Sequence, residues 1–278
     1  MAGAGMNGIK ARIKSVKSTM QITGAMELVA TSKLRRAKER VERTRPFYET
    51  LGEAIEKVIA AAELTDSVYT KPSASDKTLY VVIAGDRGLA GGYNANIFRL
   101  LSRLIGEGDL IYPIGKKACE HYKSRGVTIC GEVGYVAELG VGDVLALGEE
   151  ITRGFLDGEY GRVVLVYTKF VSMMTQAPVY EQLLPLEDKE GGSEGVPEYD
   201  ADPEEMLAAI VPKYVGGVLY SAVCEALASE SGARRSAMNA ANKNAKEMIE
   251  DLMLRYNRAR QAIITQEITE IVSGAEAL

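Results

Sequence analysis

The segment IAGDRGLAGGYNANI places Gly85, Gly88 and Gly91 directly after an apolar run. In such a setting a glycine turn can bring backbone amides up to a phosphate. The spacing is wrong for that chemistry. It reads G-x-x-G-x-x-G, not G-x-G-x-x-G, and the next apolar run, DLIYPIG, ends in Gly115 where a ribose-binding acid would stand. No G-x-x-x-x-G-K-[ST] loop occurs either. These glycines are therefore expected to form a tight turn over the end of a sheet, with Asp86, Arg87 and Asn94 as its polar groups. The chain has one histidine, His121, which removes most histidine-based catalysis and metal chemistry. Cys119, Cys130 and Cys224 lack metal-ligand spacing and read as reduced, buried, small hydrophobes. No cofactor is expected.

The chemistry that remains is recognition. Lys33, Arg35, Arg36, Lys38, Arg40, Arg43 and Arg45 form a basic belt with only Glu39 and Glu42 between them. Such a belt is either a solvated face or a collar meeting acidic loops of a surrounding partner. A nucleic-acid surface fits less well, because the chain has a net charge of −5 and the belt lacks stacking aromatics.

Long helices must position these groups. Residues 4 to about 60 read as one very long helix or two nearly continuous ones, with a bend at Pro46, on the order of 80 Å long at about 1.5 Å per residue. Ile9, Ile13, Val16, Met20 and Thr23 set a narrow apolar seam, continued by Leu34, Ala37, Val41 and Thr44. The other end mirrors it. Asp202, Pro203, Glu204 and Glu205 are a helix start: a cap, a first-turn proline and two acids at the positive end of the dipole. That helix should kink at Pro212 and run to about 275, with Ala241, Ala245, Met248, Leu252, Arg255, Ala259 and Ala262 as its seam. The prediction is an antiparallel two-helix stalk made of both termini, with an α/β body at one side of its base.

The middle alternates. TLYVVIAG, DLIYPIG, VTICGEV, RVVLVYTKFVS and QAPVYEQLLPL read as strands, the last on an edge because of Pro178. Helical stretches lie between them, so the sheet should be mostly parallel with helices on its faces. The fold class is α/β: a long antiparallel coiled coil of the N- and C-terminal helices plus a Rossmann-like body. Its parts are 1–64, 77–187 and 203–278. The acidic, glycine-rich stretch 187–202 should be a mobile surface loop. No apolar run approaches the roughly 20 residues of a membrane span, and there is no signal-peptide core.

The run RARQAIITQEITEIVSGA resembles the C-terminal signature of the γ subunit of bacterial F-type ATP synthases. IKSVKSTMQITGAMELVATSKLRRA and IAGDRGLAGGYNANI resemble that family's first helix and its strand-and-loop segment, in the same order. The resemblance implies a central rotor shaft, not itself catalytic, in a proton-translocating complex. Its partners would be the α and β subunits of the catalytic ring, an ε-type subunit and the membrane c-ring. No nucleic acid and no membrane span are implied. The location would be peripheral, on the cytoplasmic side of the bacterial inner membrane.

By the same resemblance, Arg260 and Gln261 would meet a polar loop of the catalytic subunits, and Thr265, Gln266, Glu267 and Glu270 would share the ring contacts. Met26 would lie on the opposing helix. Lys33, Arg35, Arg36 and Arg87 would be further interface residues, with Arg87 in the loop that approaches the ring. Tyr214 and Tyr220 would lie near the foot. Gly24 stands where relatives often have Lys, and Gly216 where some have Glu. Two other classes stay open on the residues: a coiled-coil-tethered nucleotide-binding regulator and a basic coiled-coil nucleic-acid binder.

Overall fold

A computed structural model describes residues 2–61, 67–186 and 202–276. The acidic stretch read as a mobile loop lies almost wholly outside these residues. Helix α1 spans Ala2–Ala61 and runs through Pro46 without interruption. It is followed by β1 (Thr78–Ile83), α2 (Tyr93–Leu101), β2 (Leu110–Ile114), α3 (Lys116–Lys123) and β3 (Thr128–Ile129). Then come α4 (Val141–Leu156), β4 (Arg162–Phe170), β5 (Gln176–Leu184) and α5 (Pro203–Glu276). The start of α5 follows the sequence signal: Asp202 Oδ1 accepts the Glu204 amide at 3.0 Å.

The chain divides into two compact units, Thr31–Arg234 and the pair Met1–Ala30 with Arg235–Leu278. In the first, the sheet has the order β3-β2-β1-β4-β5. β1 pairs in parallel with β2 and β4, while β5 is an antiparallel edge strand. One face of the sheet packs on the first half of α5, where Leu207, Val211, Val215 and Leu219 are fully buried. Each such side chain contributes roughly 1.5–3 kcal/mol relative to exposure. The second half of α1 joins this core through Val41, Ile55, Val58 and Ile59, so α1 is part of the body as well as of the paired helices. The opposite face is covered by α2 and α3 through Ile97, Leu101, Ala118 and Tyr122.

An 18-residue window of α5 reaches a mean hydropathy of 1.5, and 56% of it is buried within the protein. This corrects the expectation that no run approaches a membrane span. The apolarity is that of a helix packed into a core.

α4 and α5 cross at glycines. A Cβ added at Gly148 would lie 2.4 Å from the Gly216 nitrogen and 2.8 Å from the Pro212 carbonyl oxygen. The two backbones approach so closely that neither position has room for a side chain. Gly216 is therefore a packing residue in this chain. Gly148→Ala is expected to cost about 1–3 kcal/mol by overpacking, seen as a lower midpoint in thermal or denaturant unfolding. An unchanged midpoint would show that the crossing yields freely.

Candidate partner-binding site

In the unit built from Met1–Ala30 and Arg235–Leu278, polar contacts fix how the helices meet. Asn242 accepts the Thr23 hydroxyl on Oδ1 and donates from Nδ2 to Glu27 at 3.0 Å. Asn239 donates to the other Glu27 oxygen at 3.1 Å. As residue numbers rise along α1 they fall along α5, so the pairing is antiparallel. A polar cluster inside an apolar seam pins register, because any slip leaves its groups unpaired. Gly24 fits here: a Cβ at that position would touch only the Asn242 amide, at 3.8 Å.

On α1 the predicted seam of Ile9, Ile13, Val16, Met20 and Thr23 is half-buried, whereas Ile22, Leu28 and Val29 face solvent. On α5 the predicted phase is partly wrong. Leu252 is buried and Ala241, Ala245 and Ala259 half-buried, but Met248, Arg255 and Ala262 are exposed. The neighbours Ile249, Tyr256 and Ile263 take the seam, and Arg255 pairs instead with Asp251 at 2.8 Å. Two apolar stripes lie one residue apart on this helix, and contact with α1 selects between them.

Continuing the register brings the start of α1 level with Ile263. From Ile264 to Ser273 every residue of α5 is exposed, including Ile264, Ile268, Ile271 and Val272. Arg260, Gln261, Thr265, Gln266, Glu267 and Glu270 are exposed too. Gln266 donates to Glu270 at 2.9 Å and the Thr265 hydroxyl to the Gln261 carbonyl at 2.9 Å. Apart from such contacts along the helix, these groups point to water together with an apolar stripe, the composition of a partner surface. Met26, by contrast, is half-buried, as seam packing requires.

In the unit Thr31–Arg234, the basic belt is on the surface of α1. Lys33, Arg35 and Arg36 are exposed, while Leu34 and Ala37 turn inward against Ala228 on α5. Arg35 pairs with Glu39 at 3.9 Å and Lys38 with Glu42 at 3.5 Å. Exposed pairs of this kind add little stability. Arg45 leaves the belt. Its guanidinium meets the buried Glu225 at 2.5 Å, and that hydrogen bond raises the Arg45 pKa further. The other Glu225 oxygen accepts the Phe170 amide at 3.2 Å, where β4 ends.

The glycine loop is closed at the sheet's carboxyl end. Asp86 accepts backbone amides of Val136 at 2.9 Å, Ala137 at 3.1 Å and Lys116 at 3.3 Å. The Lys116 amide opens α3, so a protein carboxylate already sits where a phosphate would be held. Asn94 Oδ1 accepts the Gly85 amide at 2.8 Å. Arg234 on α5 donates to the Gly88 carbonyl at 3.1 Å and pairs with Glu230 at 2.5 Å. Of the three polar candidates in this loop, Asp86 and Asn94 are thus internal ties, and Arg87 alone of them is exposed.

Of the tyrosines and cysteines named from the sequence, Cys130 alone departs from expectation. Tyr220 is 8% exposed, so it is a core residue; Tyr214 is half-buried against Gly52. Cys119 and Cys224 are buried as expected, but Cys130 lies at the surface with its sulfur 3.7 Å from the Ile111 carbonyl oxygen. Burial of that sulfur pushes the thiol up to about 11. Among the described residues no group of three or more His, Cys, Asp or Glu is placed to hold a metal. Sequence reading missed Glu225 and Glu230 as ties. Buried acids on an apolar helix face were the available signal.

A body whose loops are tied inward, with helix surfaces left bare at one end of a paired unit, defines a protein that engages partners. Comparison with known proteins agrees. A family model described as "ATP synthase" matches residues 5–278. The chain is 46% identical over 98% of its length to the ATP synthase gamma chain of Ruminococcus albus, covering 98% of that protein. It is 40% identical to the Acetobacterium woodii gamma chain described as sodium ion specific, covering 97% of each. Among solved structures it is similar to a chain of the Euglena gracilis mitochondrial ATP synthase, with TM-score 0.71, 18% identity and coverage of 99% and 95%. A chain of the Tetrahymena thermophila central stalk and c-ring gives TM-score 0.63 at 23% identity, covering 79% of this chain and 99% of that one. The chain belongs to the family of ATP synthase gamma chains.

Replacing Asp86 by Ala strips an acceptor from three backbone amides. The loss should be about 1–3 kcal/mol, from the buried Val136 amide left unsatisfied, since the Lys116 and Ala137 amides can turn to water. Unfolding midpoints and amide exchange at Lys116, Val136 and Ala137 check this; unchanged exchange would show that water replaces the carboxylate at no cost.

Proposed function

We propose that this chain is the central rotor shaft of a proton-translocating F-type ATP synthase. It couples ion-driven rotation of the membrane c-ring to conformational cycling of the catalytic α/β ring, and performs no chemistry itself. The observation that supports this most directly is the bare end of α5 beyond the start of α1. There Thr265, Gln266, Glu267 and Glu270 stand exposed beside Ile264, Ile268 and Ile271, just past the exposed Arg260 and Gln261. A stripe of that kind needs an outside surface to cover it.

A shaft works through differential contact. If it touched each catalytic subunit equally it would bias none of them. The paired helices present unlike faces: Ile22, Leu28 and Val29 on one helix, Met248, Met253 and Leu254 on the other. Turning them offers each subunit a different surface in succession. Arg260 suits a carboxylate on the ring because its planar fork binds at two points. The belt of Lys33, Arg35 and Arg36, with Arg87, provides positive charge for acidic loops, and Tyr214 belongs to the foot that meets the c-ring and an ε-type subunit. The chain sits peripherally on the cytoplasmic side of the bacterial inner membrane.

The alternative is a nucleotide-binding regulator with a helical tether. Asp86 speaks against it, since it takes the amides at the start of α3 that a phosphate would use.

Arg260→Ala combined with Gln261→Ala should leave the helix intact and lower proton-driven ATP synthesis in vesicles carrying the reassembled complex. Circular dichroism checks the first and luciferase-detected ATP the second. Full synthesis by the double variant would remove these two residues from the coupling surface. Tight nucleotide binding by the isolated chain would favour the regulator.

A further inference from the structure

β5 is an edge of the sheet and hydrogen-bonds to β4 alone. Among the described residues no backbone group pairs with the outer side of residues 176–182. An open edge is a template for another strand unless it is blunted. Here it is blunted only at its two ends. Pro178 lies near the start, and near the finish a bulge leaves Leu183 without an opposite residue, between the pairs Val164–Gln182 and Val163–Leu184. Residues 179–182 lie between these devices, about 13 Å of strand with neither lysine nor proline.

A groove runs beside this edge, within the unit Thr31–Arg234. Two cavities of about 610 and 460 Å³ share Gly52 of α1, Glu181 of β5 and Tyr214 of α5. One wall is thus helical and the other is the sheet edge, an arrangement suited to an extended peptide added as a further strand. The two faces of the edge differ in chemistry. Glu49 and Glu53 on α1 and Glu181 on β5 line the smaller cavity, and among the described residues none of the three forms an ion pair. Of the cations there, Arg45 is committed to Glu225, which leaves Lys169 against three carboxylates. Side chains alternate along a strand, so Tyr180 lies on the face opposite Glu181. Tyr180 is 56% exposed, and Val164 and Arg162 line the cavity with it.

We propose that the β5 edge and its groove against α1 bind an extended segment of a partner protein in which basic and apolar residues alternate. Main-chain hydrogen bonds to residues 179–182 supply the affinity, and the alternating side chains supply the choice of partner. Every second side chain, a lysine or arginine, turns to Glu49, Glu53 and Glu181. The others are apolar and turn to Tyr180 and Val164, on the face where Arg162 would repel a cation. This goes beyond the shaft reading and needs neither the paired helices nor rotation, so either can fail without the other.

The test is fluorescence anisotropy of labelled peptides titrated with the full chain. Three hexapeptides are compared: alternating Lys and Val, the same peptide methylated at every backbone nitrogen, and alternating Glu and Val. The expected result is that the first binds, while the other two bind at least about tenfold more weakly. Glu49→Lys combined with Glu53→Lys should weaken the first peptide by about tenfold, with the unfolding midpoint unchanged. Tyr180→Lys, which blunts the edge at an exposed position, should weaken it as well. No binding of the Lys–Val peptide would overturn the inference. Equal binding of the methylated peptide would do so too, by showing charge attraction without an added strand. Undiminished binding to both variants would place the peptide elsewhere on this acidic chain, with the same consequence. Dimerisation of the chain that displaces the peptide would give the edge to a second copy and overturn the inference.

Discussion

The rest of the structure depends on the close burial of the first half of α5 against the sheet. Leu207, Val211, Val215 and Leu219 have no exposed surface, and the Gly148–Gly216 crossing brings backbone against backbone. Close packing of this kind transmits strain instead of absorbing it, because interiors are dense and poorly compressible. The first half of α5 is held by this packing on the sheet. Pro212 lies in this half and does not interrupt the helix.

Buried charge is used along the same helix as a tie. Glu225 joins Arg45 of α1 to the end of β4, and Glu230 with Arg234 joins α5 to the glycine loop. Hydrophobic contact alone is non-directional and would tolerate sliding. A buried carboxylate with two specific donors does not, since displacement leaves it unpaired in a low-dielectric setting. The Thr23, Glu27, Asn239 and Asn242 cluster does the same for the paired helices. Apolar burial thus supplies the cohesion at both places, and polar pairing sets the register.

Much of the fold was legible because its signals are local. The β-branched runs fall where the strands are, Pro178 marked β5 as an edge, and Asp202 with Pro203 marked the start of α5. The seam on α1 was legible because its apolar residues stand alone between polar ones. The seam on α5 was not, because Met248 and Ile249, Arg255 and Tyr256, and Ala262 and Ile263 sit side by side. Either phase fits a near-heptad rhythm. The glycine loop was read correctly as structural, but the role of Asp86 was invisible. Its partners, Lys116, Val136 and Ala137, lie 30 to 51 residues away and contribute only backbone amides.

The sequence by itself determined the elements, their order, the family and the exposed motif at the end of α5. The elements and their order follow from periodicity, capping and composition, which act over a few residues, and the family from the resemblance of whole motifs. Tertiary structure alone decided which α5 stripe is buried, that Arg45 leaves the belt for Glu225, that Gly216 is a helix crossing, and that α1 leaves a groove beside the β5 edge. Each of these depends on which distant backbone arrives beside a residue, and no local preference encodes that.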